Sequence, residues 1–118
     1  MILVIGGVAS GKRTYARSLG YADEQIGTDP FGPAPVLYGL EELLRKGSLD
    51  DRTYEALTRK DLVLCCEVGS GVVPMERDER AWRELVGRTC ACLAADASQV
   101  VRMVCGIPVE LRQEGLAL

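Results

Sequence analysis

MILVIGGVASGKR, residues 1–13, is the stretch on which the fold turns. Four apolar residues, Ile2 to Ile5, run directly into Gly6-Gly7-Val8-Ala9-Ser10-Gly11-Lys12, which has the G-x-x-x-x-G-K spacing of a phosphate-binding (Walker A) loop. Glycine lets the backbone fold back and keeps side chains out of the way of a phosphate. The loop amides then converge on the anion, and the positive end of the following helix adds to the field. Lys12 brings a mobile full charge for the outer phosphates. Ile2–Ile5 predicts the strand before the loop; Thr14–Leu19 predicts the helix after it, ending at Gly20. Gly6, Gly7, Val8, Ala9, Ser10, Gly11, Lys12, Arg13 and Thr14 are thus the expected nucleotide-binding residues, with ATP or GTP as ligand. The rival reading is a glycine-rich strand-to-helix turn that binds nothing.

One position departs from the pattern. A Ser or Thr normally follows the lysine, and its hydroxyl holds Mg²⁺. Here that residue is Arg13. Thr14 lies about 100° further round a helix and does not aim at the same point. Mg²⁺ remains the expected companion of a bound nucleotide, but without its usual hydroxyl.

The 118 residues read as one domain, 1–118, long enough for a core of its own. The net charge of −3 gives no basic surplus for nucleic acid and no charge run for a membrane surface. The first apolar run is too short for a signal peptide or a membrane span, and a cytoplasmic location is expected. Cys65, Cys66, Cys90, Cys92 and Cys105 show no C-x-x-C spacing and mostly sit in apolar runs, so buried thiols are expected rather than a metal site. The chain has no histidine, which removes the commonest general base and metal ligand.

Beyond the first helix, Gln25–Thr28 gives a weak strand signal, and Thr28–Pro33 is turn chemistry. Asp29 is a turn aspartate or, at a strand end, a metal-binding carboxylate. Val36–Lys46 reads as a helix on the spacing of Leu37, Leu40, Leu43 and Leu44, closed by Gly47. Ser48 or Asp50 caps a second helix over Asp50–Arg59, with Tyr54 and Leu57 inward. Asp61–Val68 is a near-continuous apolar strand, as a parallel strand covered on both faces requires. It leads into the flexible loop Gly69–Pro74. In open α/β sheets ligands bind at the carboxyl ends of strands, which singles out Glu67 as a metal ligand or a base for an acceptor hydroxyl. The alternative is a solvated strand-end glutamate.

A long helix is expected over Arg77–Ala97, with Trp82, Leu85, Val86, Thr89 and Leu93 as its apolar face. Glu76–Arg80, Glu79–Arg83 and Glu84–Arg88 are spaced as supporting ion pairs. Gly87 in mid-helix suggests close approach of another backbone. Arg77 and Arg80 either reach a phosphate or belong to a solvated face. Gln99–Cys105 is a third strand; Gly106 and Pro108 turn the chain into an edge strand at Val109–Arg112.

Taken together, ILVIGGVASGK, CEVGSGVVPMERDERAWRELVGR and CGIPVELR resemble the adenosylcobinamide kinase / adenosylcobinamide-phosphate guanylyltransferase family of cobalamin biosynthesis. Glu67, Val68, Gly69, Gly71, Val73, Pro74, Arg77, Arg80, Arg83, Gly87 and Arg88 fall in matching places. The departures are Ala9 for the family's arginine, Arg13 for its serine, Cys66 for its asparagine before EVG, and Cys90-Ala91 for a later Asn-Gln pair. The middle of the chain is also shorter, lacking the family's aspartate-bearing strand and its GMP-accepting histidine.

The resemblance implies a P-loop NTPase-like α/β fold of RecA type. The sheet is mainly parallel and flanked by helices. It also implies transfer of a nucleotide γ-phosphoryl group to a cobinamide-like alcohol, with Lys12 on the β/γ-phosphates, Glu67 as metal ligand or base, and Arg77 or Arg80 at the transferring group. The guanylyltransferase half lacks its nucleophile. The competing expectation is a non-catalytic nucleotide-binding protein of the same fold, regulatory or a subunit. Expected partners are a nucleotide and a corrinoid substrate; open sheet edges are compatible with a homo-oligomer.

Overall fold

The computed structural model describes residues 1–68 and 76–113. The apolar opening forms β1 (Ile2–Gly6), and the glycine loop leads into α1 (Lys12–Ser18). Two short strands follow, β2 (Ile26–Gly27) and β3 (Val36–Leu37). Next come α2 (Leu40–Leu43), extended by a 3₁₀ turn over Leu44–Lys46, and α3 (Asp51–Thr58). The chain is completed by β4 (Leu62–Cys66), α4 (Arg77–Asp96), β5 (Gln99–Val104) and β6 (Ile107–Gln113).

The six strands make one sheet in the order β2-β3-β4-β1-β5-β6. All pairs are parallel except β5–β6. The sheet is therefore α/β and mainly parallel. Strand β1 is central, with β4 on one side and β5 on the other, Ile5 standing opposite both Cys65 and Arg102. From β1 the chain crosses through α1 on one face to the edge strand β2 and returns through β3 to β4, whereas from β4 it crosses through α4 on the other face to β5, so the carboxyl ends of β1 and β4 flank the switch point where such sheets open a crevice.

Helices cover both faces, which is why the strands are apolar on both sides. Leu3, Val63, Cys65 and Val100 pack under Leu40, Leu44, Leu57, Val86 and Leu93 from α2, its 3₁₀ extension, α3 and α4. On the other face Val4, Leu64, Val101 and Met103 pack with Ala16 of α1. Asp50 caps α3 by accepting from the Thr53 N–H at 2.7 Å, and Gly47 (φ 89°) ends the preceding 3₁₀ turn. Asp29 Oδ1 accepts from the Phe31 N–H at 2.9 Å, the turn role.

Five expectations need correction. Val36–Leu37 is a strand, not the first turn of a helix, because its backbone is claimed by Ile26–Gly27 on one side and Leu62–Val63 on the other. A β-carbon placed on Gly87 meets no described residue within 4 Å, so no described backbone crosses there. Pro108 lies inside β6, tolerated on the sheet's edge, while Cys105 (φ 50°) and Gly106 (φ 77°) make the turn. Glu79 meets Arg45 at 2.6 Å, across to the 3₁₀ turn rather than along its own helix. Cys92 and Cys105 are exposed, whereas Cys65 is buried. Among the described residues no helix is long and apolar enough to cross a membrane.

Candidate functional site

The glycine loop leaves β1 at the switch point, and its shape follows from a few contacts. A β-carbon on Gly6 would stand 2.4 Å from Ser10 Oγ and 3.0 Å from the Met103 carbonyl, so any side chain there crowds the loop. Gly11 adopts φ 97°, and a β-carbon there would stand 3.2 Å from Gly106 Cα. The Gly106 N–H donates to the Ser10 carbonyl at 3.0 Å. The β5–β6 turn thus braces the loop from the side, a support that sequence reasoning missed.

Ala9 (φ 56°) and Gly11 are both left-handed, with Ser10 of opposite hand between them. Alternation of this kind gathers successive amides on one side, as in anion-binding nests. Among the described residues the N–H groups of Val8, Ala9, Gly11, Lys12 and Arg13 find no acceptor. Lys12 is 7% exposed and folds back over the loop. Its Nζ donates to the Gly7 carbonyl at 2.7 Å and the Gly6 carbonyl at 3.2 Å. Two carbonyl dipoles thus offset the cost of burying that charge.

A cavity of about 340 Å³ opens over the loop, lined by Val8 to Thr14, Tyr38 and Cys66. Among the described residues no carboxylate lines it, and two cations do, so that lining is electropositive in a chain of net charge −3. The Arg13 guanidinium lies 4.8 Å from the centre of the Tyr38 ring, a cation–π contact. Tyr38 follows β3 and its N–H donates to the Gly27 carbonyl at 2.8 Å. Sequence reasoning missed this residue because it read β3 as helix.

Glu67 sits just past β4, its N–H donating to the Gly6 carbonyl at 2.8 Å. Its carboxylate faces β5, not the cavity: Arg102 Nε meets Oε1 at 2.8 Å and Arg102 Nη2 meets Oε2 at 3.2 Å. Glu41, also missed, receives the Cys66 N–H at 2.9 Å and so caps the end of β4; its carbonyl accepts from Trp82 Nε1 at 2.8 Å. Arg77 and Arg80 are exposed in the first turn of α4 and do not line the cavity. The loop Gly69–Pro74 falls outside the described residues.

Few acidic groups stand near the cavity among the described residues. The hydroxyl position is Arg13, Glu41 and Glu67 are both engaged elsewhere, and no group of three or more His, Cys, Asp or Glu residues assembles among the described residues. The segment 69–75 carries no carboxylate in its sequence, GSGVVPM.

In comparison with known proteins, the family model described as cobinamide kinase / cobinamide phosphate guanyltransferase matches residues 48–111, more than half of the chain. The match runs from just before α3 to β6 and leaves out the glycine loop. No curated protein matches the chain.

Proposed function

The chain belongs to the cobinamide kinase / cobinamide phosphate guanyltransferase family, and on that premise we propose that it is a P-loop, RecA-type nucleotide-binding domain that keeps the kinase step alone. A cobinamide kinase/guanyltransferase-like role in cobalamin biosynthesis comes with the family. The observation that carries the finer reading is the cavity over Val8–Thr14, with unpartnered amides, Lys12 and Arg13, and no acid among the described residues. Such a lining suits the polyphosphate of ATP or GTP and nothing cationic.

In this reading the amides of Gly7 to Lys12 hold the β- and γ-phosphates, and Lys12 exchanges its carbonyl partners for phosphate oxygens. Phosphoryl transfer needs mostly positioning and charge stabilisation. Glu67 takes the proton of the acceptor alcohol once that carboxylate leaves Arg102, and Arg77 or Arg80 meets the transferring group from α4. Guanylyl transfer is absent, because no histidine exists to carry the nucleotide. In this reading the substrate is a corrinoid alcohol, phosphorylated in the cytoplasm.

Incubation with γ-labelled ATP or GTP and cobinamide tests the proposal. The expected result is labelled cobinamide phosphate and no covalent nucleotide adduct. Lys12→Ala should abolish transfer with an unchanged circular dichroism spectrum. Nucleotide binding without any transfer would overturn the kinase reading in favour of a binding protein. The Glu67–Arg102 pairing supports that second reading, since it occupies the one candidate base.

A further inference from the structure

Resting on the nucleotide reading above, we propose that Arg13 takes the place of Mg²⁺, so that the site binds the metal-free polyphosphate. Three observations converge. Arg13 occupies the position from which a bound nucleotide's metal would draw its protein hydroxyl. Its guanidinium is held at the cavity wall by the Tyr38 ring, 4.8 Å away, and has no carboxylate partner among the described residues. Two carboxylates at the end of β4 already have partners, Glu41 the Cys66 N–H and Glu67 the Arg102 guanidinium.

The electrostatics run one way. A divalent cation beside Lys12 and Arg13 meets two like charges and no oxygen anion from the protein. A polyphosphate without its metal carries more negative charge into the same site and offers oxygens for a guanidinium to bridge in bidentate fashion. Tyr38 acts as a positioning residue: Arg13 is exposed, and the ring holds its guanidinium at the mouth of the cavity, where a free long side chain would lose that geometry.

Calorimetry with ATP, GTP and inorganic tripolyphosphate, each in excess EDTA and in excess Mg²⁺, tests the inference. For the unaltered protein, affinity in EDTA should exceed that in Mg²⁺ by roughly tenfold, since the metal masks charge that Arg13 and Lys12 would otherwise pair. Arg13→Ser should reverse the order, losing about ten- to a hundredfold in EDTA and regaining affinity when Mg²⁺ is added. Arg13→Lys should keep the preference for metal-free ligand at lower affinity, because it keeps the charge but not the fork. Tyr38→Phe should change little, whereas Tyr38→Leu should weaken metal-free binding alone. Trp82 fluorescence and circular dichroism check that each variant is folded. Tighter binding in Mg²⁺ than in EDTA by the unaltered protein overturns the inference and leaves the nucleotide reading standing. So does an Arg13→Ser variant with the same order as its parent. No binding of any of the three ligands under either condition overturns both.

Discussion

The Gly6–Ser10 contact makes a prediction whose size can be worked out. In Gly6→Ala the new methyl would stand 2.4 Å from Ser10 Oγ, 3.0 Å from the Met103 carbonyl oxygen and 3.1 Å from Met103 Cβ. The nearest neighbour sits on a short side chain whose oxygen is buried without a hydrogen-bond partner, so it has little room to retreat. The second is backbone of β5, locked on both sides by β1 and β6. Overpacking of this kind costs about 1–3 kcal/mol. Gly6 does not have positive φ, so alanine also narrows the unfolded chain and returns about 0.4–1 kcal/mol. The net expectation for Gly6→Ala is a loss of about 1.3 kcal/mol at mid-range and at most about 2.6 kcal/mol. Ser10→Ala removes an oxygen that makes no bond, and should be neutral or stabilising by up to about 1 kcal/mol. With both substitutions, the worst contact disappears and the Met103 contacts remain. The double variant should therefore be more stable than the sum of the singles by about 1 kcal/mol. Urea unfolding followed through Trp82, the single tryptophan, measures all four corners of the cycle. Additive single effects, or a Gly6→Ala protein as stable as its parent, would refute the packing argument.

Two further outcomes are expected. Iodoacetamide labelling with peptide mapping should modify Cys92 and Cys105 first, since both are exposed, and Cys65 last, since a hydrogen bond with Cys90 and then burial hold its thiol well above the ordinary range; early modification of Cys65 in folded protein would contradict that packing. The Thr53 side chain and then its backbone N–H hold the Asp50 carboxyl below its usual value, so the cap on α3 contributes fully above the unfolded value of about 3.9 and is lost as pH falls through the lower folded value. Asp50→Asn keeps a cap that does not titrate, so the stability gap between parent and variant should shrink on acidification from pH 5 to 2.5 in urea titrations. Parallel profiles would rule out the cap as the source.

The elements that were legible share one property: their own residues specify them. β1, β4 and β5 are apolar runs too short for helices and flanked by breakers, and α4 has an uninterrupted helical stripe. Asp50 and Gly47 announce the ends of helices because capping is local chemistry. β3 is the opposite case. Two residues cannot show a period of two, and Leu37 falls in register with Leu40 and Leu44, so the helical pattern absorbs it. Its strand character comes from Ile26 and Leu62, distant partners that supply the hydrogen bonds. The misreading hid Tyr38, which reaches the cavity only because β3 carries the chain to the same sheet edge as β1. Glu67 was found by position, but its direction was not legible: Arg102 meets it because parallel register puts Arg102 across from Ile5, two strands away from β4.

Arg13 shows why a motif departure cannot be judged alone. In the sequence it subtracts a metal ligand from an otherwise complete loop. In the fold the same residue adds a guanidinium to a cavity already holding Lys12, with the Tyr38 ring beside it and no acid lining the cavity among the described residues. A site that had merely decayed has no reason to keep its amides unpartnered, its lysine buried and its one new charge anchored on a ring. The combination follows if the anion stayed and the cation that accompanies it became part of the protein. That makes the sign of the Mg²⁺ effect on nucleotide affinity, rather than affinity itself, the quantity that separates replacement from loss.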